Sequence, residues 1–248
     1  MSSWIAPNHL SASSPFPENA GIEAKAFFDA ACEIDRRTSE VTGSHTSAGS
    51  ETGIVEAWAR VAGKIIDSTY FDSLTVVSNA TSEHEVFYRE VDSRAVKRTW
   101  PGAYGFIPSP DQDKRTLGRK NASPAEYLHR MMFQILLFES DVKLEGVMIS
   151  DKPSVVLGAP PRQATFVISQ KFFKRASKIT IEDITKMLEE CGFQHVPKAF
   201  FGWVRKEDRI VLIDARPDNF VNTEIGLIPI DLQITQFTVE EMQLAGLV

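Results

Sequence analysis

The sequence predicts an α+β protein, and three observations carry that prediction. Apolar segments with strand character follow one another from Leu74 onward. One sharply capped helix interrupts them at Ser123, and a second helix precedes the last short strands. Strands, a helix, more strands and a mixed tail are the order of an α+β chain rather than of a regular βαβ repeat.

"SASSPFPENAG" reads as loop, and "IEAKAFFDAACEIDRR", Ile22 to Arg37, as an amphipathic helix. The stretch 38–53 is rich in Ser, Thr and Gly and predicts a flexible linker. In "IVEAWARVAGKIID" the residues Val55, Trp58, Val61, Ile65 and Ile66 recur at helical spacing. Residues 1–70 therefore read as a helical extension, and 71–248 as the main domain.

Within the main domain "LTVVSNA", "EVFYREV" and "RAVKRTW" predict consecutive antiparallel strands, the last two joined by a tight turn at Asp92 and Ser93. "PGAYGFIPSPDQDKRTLGRKNA" reads as a Gly/Pro-rich connection. "SPAEYLHRMMFQILLFES" then has Ser at the cap, Pro at the first helical position and Glu at the third. "GVMISDKPSVVLG" and "ATFVISQKFF" predict strands. "TIEDITKMLEECGF" predicts a helix capped by Thr180 and stopped at Gly192. "FFGWVR", "RIVLID" and "GLIPID" complete the chain as short strands.

Composition narrows the function classes. A net charge of −6 argues against a nucleic-acid partner, which needs a basic face. Two cysteines, Cys32 and Cys191, are too few for a disulfide framework or a cysteine metal site. No apolar run reaches the length of a membrane span, and "MSSWIAPNHL" lacks the plan of a signal peptide. The expectation is a cytoplasmic protein with no membrane partner.

Chemistry concentrates near the C-terminus. Asp214 ends the run "RIVLID", Asn219 follows five residues later, and Asp231 ends "LIPID". Two antiparallel strands joined around Glu224 to Gly226 would bring Asn219 beside Asp231, with Asp214 within reach. Oxygen ligands of this kind suit Mg²⁺, which is commonly held by one or two carboxylates together with substrate phosphates. The remaining Asp can orient a hydroxyl and accept its proton. In isolation, "RPDN" is also good turn chemistry, and Lys97 alone reads as a solvated strand lysine.

"DARPDN" resembles the catalytic loop of protein kinases, with Asp214 and Asn219 five apart and Arg216 at the basic position between them. "PIDLQ" stands where those kinases carry the metal aspartate, and "RAVKRT" resembles the strand that presents the ATP-binding lysine. Together with "EHEVFY", "PAEYLHR", "LFESDVKLEGV" and "ISQKFF", these segments resemble the kinase-like domains of polyvalent proteins in phages and mobile elements, over about residues 73–236. The resemblance implies a protein-kinase-like fold: an antiparallel N-lobe sheet with one main helix, then a reduced C-terminal lobe. It implies ATP and Mg²⁺ as cofactors and a phosphotransferase acting on a protein hydroxyl. Lys97 would hold the nucleotide phosphates, with Thr81, Ser82 and His84 near them and the backbone around Gln170 to Phe172 on the adenine. Glu126 would pair with Lys97, Glu139 being the other choice; Glu126 also stands where a helix cap needs it. Asn219 and Asp231 would hold the metal, Asp214 would be the base, and Arg216 would neutralise charge on the transferred group.

The departures keep other functions open. Asn79, Thr81 and His84 fall where three glycines would be, and Gln233 replaces the Gly after the metal aspartate. Only 17 residues follow Asp231, so no helical substrate lobe is expected. A pseudokinase that serves as an interaction module is one alternative, and a small-molecule kinase is another.

Overall fold

A computed structural model describes residues 20–41, 48–78, 83–152, 161–173, 178–224 and 226–248. Two helices come first, α1 (Ile22–Val41) and α2 (Ala48–Val61). Strands β1 (Thr75–Ser78), β2 (His84–Arg89) and β3 (Arg94–Thr99) follow. A hairpin of β4 (Phe106–Asp111) and β5 (Thr116–Asn121) precedes α3 (Pro124–Phe138). Then come β6 (Val142–Ser150), β7 (Gln163–Lys171) and α4 (Ile181–Glu190). The remainder is β8 (Gln194–Val196), β9 (Gly202–Arg205), β10 (Ile210–Ile213), β11 (Phe220–Thr223), β12 (Gly226–Pro229), β13 (Gln233–Gln236) and α5 (Val239–Leu244). The architecture is α+β with antiparallel sheets. No described helix is long and apolar enough to cross a membrane.

The main sheet has the order β1-β2-β3-β7-β6, with every neighbour antiparallel. Its interior strands β3 and β7 are buried along all or almost all of their length, so the sheet is covered on both faces. A second sheet, β13-β10-β9-β8, follows, and β11 with β12 forms a separate hairpin. Helix α3 starts as its cap chemistry requires: Ser123 Oγ accepts from Glu126 N at 3.3 Å, and the Glu126 carboxylate accepts from Ser123 N at 2.8 Å. The α3 residues Tyr127, Leu128, Met131 and Met132 are buried in one core with Phe166 and Ile168 of β7.

Three expectations need correction. The stretch 38–53 is not a continuous linker: α1 runs to Val41 and α2 starts at Ala48, while 42–47 lie outside the described residues. Thr38 and Ser39 turn their hydroxyls back to the carbonyls of Ile34 and Asp35, which satisfies them inside a helix. Thr52 is buried and donates to Gln163 Oε1 at 3.0 Å. Packing decides here over composition, because Ala24, Phe27, Phe28, Ala31 and Ile34 of α1 share the core of α3. The helix expected to run on to Asp67 ends at Val61, and Gly63 takes φ +63° just beyond it. Ile65 instead bridges Val147 of β6 in parallel, at the bulge around Gly146. Finally, the Gly/Pro-rich connection forms the β4–β5 hairpin, with Pro108 opposite Arg119 and Pro110 opposite Leu117. A two-stranded ribbon leaves each strand one open edge, so Pro is tolerated there.

Candidate functional site

Strand β10 is buried throughout and ends at Ile213. The next residue, Asp214, takes φ +64°, a left-handed conformation that Asp accepts more readily than most residues. Its N–H donates to Phe200 O at 3.1 Å, and Arg216 N donates back to Asp214 O at 2.8 Å. A single 3₁₀ turn, Pro217–Asn219, then leads into β11. The turn folds Asn219 onto Asp214: Asn219 Nδ2 donates to Asp214 O at 2.7 Å and to Asp214 Oδ2 at 3.0 Å. Arg216 Nε donates to Asp214 Oδ1 at 2.5 Å. Phe220 pairs with Pro229 across the β11–β12 hairpin, and Ile230 N donates to Asn219 O at 2.9 Å. Asn219 therefore lies across from the residue that precedes Asp231.

Lys97, on β3, reaches the same segment. Its Nζ donates to Ile230 O at 2.7 Å, and the residue is 7% exposed. Burial lowers its pKa, while the charges of Asp231 and Glu83 work against that fall. Arg130, on α3, is the larger presence. Its Nε donates to Leu232 O at 2.7 Å, Nη1 to Glu83 Oε2 at 2.6 Å and Nη2 to Asp231 Oδ1 at 2.7 Å. Glu83 in turn accepts from Phe106 N at 3.1 Å and Gln233 Nε2 at 3.3 Å. Burial raises the pKa of Glu83, and the charge of Asp231 adds to the rise. Burial also works to raise the pKa of Asp231, but Arg130 and Lys97 outweigh it and hold the carboxylate below its usual range.

Gly105 makes the Glu83–Arg130 contact possible. It takes φ +75°, and a Cβ there would lie 2.4 Å from Glu83 Oε2 and 3.0 Å from Arg130 Nη1.

The sequence-predicted residues fall into three groups. Lys97, Asp214, Arg216, Asn219 and Asp231 converge as described above. Thr81 and Ser82 lie outside the described residues. The remaining expectations are corrected. Glu126 caps α3 and pairs with Lys120 at 2.8 Å, so its carboxylate is engaged by the cap and by Lys120. Glu139 is the exposed C-cap of α3 at φ +52°. His84 is 2% exposed, its Nε2 3.0 Å from Tyr127 Oη, and burial depresses its pKa to about 3. The buried imidazole packs on the Tyr127 ring. Gln170 is paired with Ala95 on one side and Val142 on the other, and Phe172 N donates to Ser93 O at 2.9 Å. These pairings tie the segment into the main sheet.

Sequence reasoning missed Glu83, Gly105 and Arg130, and took Gln233 only as a departure from the family pattern. One signal was available for Arg130. It falls three residues after Tyr127 and four before Gln134, on the buried stripe of α3, and a cation at such a position needs an internal partner.

The oxygen donors suit the metal that the resemblance implies. Asn219 has its Nδ2 committed to Asp214, which leaves Oδ1 as its ligand atom, and Asp231 has Oδ1 on Arg130, which leaves Oδ2. No protein-family model matches the chain, and a search of curated proteins finds no match either.

Proposed function

We propose that this chain is a kinase-like protein that binds ATP and transfers its terminal phosphoryl group to a protein hydroxyl. The observation that carries the reading is the convergence on one segment, residues 230–231. Lys97 of β3 bonds the carbonyl of Ile230, Asn219 pairs with Ile230 from the catalytic-loop side, and Asp231 comes next. The order of strand pair, lysine strand, helix, two strands, Asp-to-Asn loop and second Asp supports it as well.

In this reading Lys97 exchanges the Ile230 carbonyl for phosphate oxygens. Burial lowers its pKa, and a phosphate partner would work against that fall by favouring the charged form. Asn219 Oδ1 and Asp231 Oδ2 would hold Mg²⁺, which supplies charge neutralisation between the phosphates when bound. Asp214 orients the acceptor hydroxyl and takes its proton. Its carboxylate is already aimed by Asn219 and Arg216, so little reorganisation precedes transfer. Arg216 is 39% exposed at its side chain and can turn from Asp214 toward a charged phosphoryl group.

A second reading is a pseudokinase, and a specific observation favours it. Lys97, Asp214 and Asp231 all have internal partners, so the cluster is satisfied with no ligand. The test is incubation of the full chain with γ-labelled ATP and Mg²⁺, alone and with a cell lysate, alongside thermal melts with nucleotide. Label transfer supports the enzyme. A melting shift without transfer supports the pseudokinase, and absence of both removes the nucleotide reading.

A further inference from the structure

Helix α3 brings a cation to Asp231, where the kinase resemblance expects an acid for Lys97. The Arg130 side chain is 0% exposed, and its donors are fixed on Leu232 O, Phe106 O, Glu83 and Asp231. Around it, Glu83, His84 and Asp231 each offer a ligand atom within 4.8 Å of the others. Two inward carboxylates and an imidazole are a donor set that divalent ions take. Here the guanidinium sits on both carboxylates instead. Gln233 gives a second sign that this cluster accepts a positive or donor group. Its Nε2 is on Glu83, and its buried Oε1 has no hydrogen-bond partner among the described residues.

Charge balance gives the arrangement a consequence. Lys97 and Arg130 face Glu83 and Asp231, two cations against two carboxylates, in a largely buried setting. A bare divalent ion would add uncompensated charge there, which a low-dielectric site resists. An ion that arrives with a polyphosphate brings its own negative charge.

We propose that Arg130 is a resident cation and positioning residue at Asp231, standing where a divalent ion would otherwise bind Glu83, His84 and Asp231, so that the protein takes a divalent ion only together with a nucleotide. The nucleotide half rests on the function proposed above; the Arg130 half does not.

The experiment is Mn²⁺ binding to the full chain, read from the loss of the free-ion electron-spin signal, with and without ATP, each ATP titration being set against the same Mn²⁺ and ATP without protein because ATP itself complexes the ion. Wild type should bind Mn²⁺ weakly alone and tightly with ATP. Arg130→Gln should bind Mn²⁺ alone at least about tenfold more tightly than wild type, a usual size for coupling between two charges at one site. Mn²⁺ alone should also raise the melting temperature of Arg130→Gln by several degrees and leave wild type unchanged, a rescue that a merely structural arginine would not show. Adding Asp231→Asn to Arg130→Gln should abolish that gain. Should Arg130→Gln fail to fold, Arg130→Lys keeps one charge without bridging both carboxylates, and should still gain Mn²⁺ affinity. Neither Arg130 variant gaining affinity would overturn the proposal, as would wild type binding Mn²⁺ equally well with and without ATP while both Arg130 variants match it. If the Arg130 variants gain affinity and ATP changes nothing in wild type, the nucleotide reading fails and the resident cation stands.

Discussion

Arg130 of α3 and Asp231, which precedes β13, are joined by a 2.7 Å hydrogen-bonded ion pair. The same guanidinium holds Glu83, so one side chain ties the helix to the approach of β2 and to the segment between β12 and β13. A fully buried cation with two carboxylate partners should not be removable without cost. Arg130→Met leaves Glu83 and Asp231 without their countercharge and should destabilise the fold by about 3–5 kcal/mol. Urea unfolding measures it. A loss below about 1 kcal/mol, the scale of an exposed pair, would show that the bridge is solvated.

His84 makes stability depend on pH. In the unfolded chain it takes a proton near its ordinary value of 6.5; in the fold, burial beside Tyr127, Lys97 and Arg130 depresses it to about 3, against the pull of Asp231. Between those values the unfolded state binds the extra proton, so stability falls as pH drops and is unaffected above the window. From pH 6.5 down to about 5, this one group should cost about 1.5 kcal/mol. His84→Gln keeps a hydrogen-bonding partner for Tyr127 and removes the titration. The unfolding free energies of the two proteins should diverge over that interval, and parallel curves would show that His84 is accessible to protons in the fold.

Much of this geometry was legible in the sequence, and the illegible part has a physical pattern. The capped start of α3, the strand carrying Lys97 and the Asp214-to-Asn219 turn were readable because each is specified locally, by cap chemistry, alternation or turn residues. Glu126 was misread because the same residue satisfies a cap locally and a lysine only at long range, and the local bond won. Arg130 joins residues 47 and 101 positions away, Glu83 and Asp231, which no local pattern announces. The β4–β5 hairpin was hidden by Pro108 and Pro110, since a two-stranded ribbon tolerates what a central strand would not.

Gly105 offers a backbone test of the same cluster. Gly105→Ala puts a methyl 2.4 Å from Glu83 Oε2 at a φ of +75°, so both the steric and the conformational terms oppose it. The substitution should cost about 2 kcal/mol or more, combining left-handed strain of about 1–2 kcal/mol with displacement of a buried ion pair. Combined with Glu83→Ala, which removes the obstructing carboxylate, its added cost should shrink toward the backbone strain, with only the Arg130 Nη1 approach at 3.0 Å left beside it. A double-mutant cycle measures this, and full additivity would separate Gly105 from the Glu83–Arg130 contact.

Substitutions at Asp214 and Asp231 divide enzyme from pseudoenzyme. Asp214→Asn is a mild change for the fold, because Asn accepts the left-handed backbone at φ +64°, its one amide oxygen can still accept from Arg216, and Asn219 Nδ2 keeps the backbone carbonyl of residue 214. What it loses is basicity. In a working transferase the acceptor hydroxyl then keeps its proton, and phosphoryl transfer should fall by about 10²-fold or more while the nucleotide-induced melting shift persists. Asp231→Asn acts differently. It removes the charge that Arg130 and Lys97 both face, so nucleotide binding and transfer should fall together. In a pseudokinase neither substitution alters any turnover, and only Asp231→Asn weakens the melting shift. Transfer that persists undiminished in Asp214→Asn would show that another group takes the proton, and Arg216, always charged, is excluded from that role by its own chemistry.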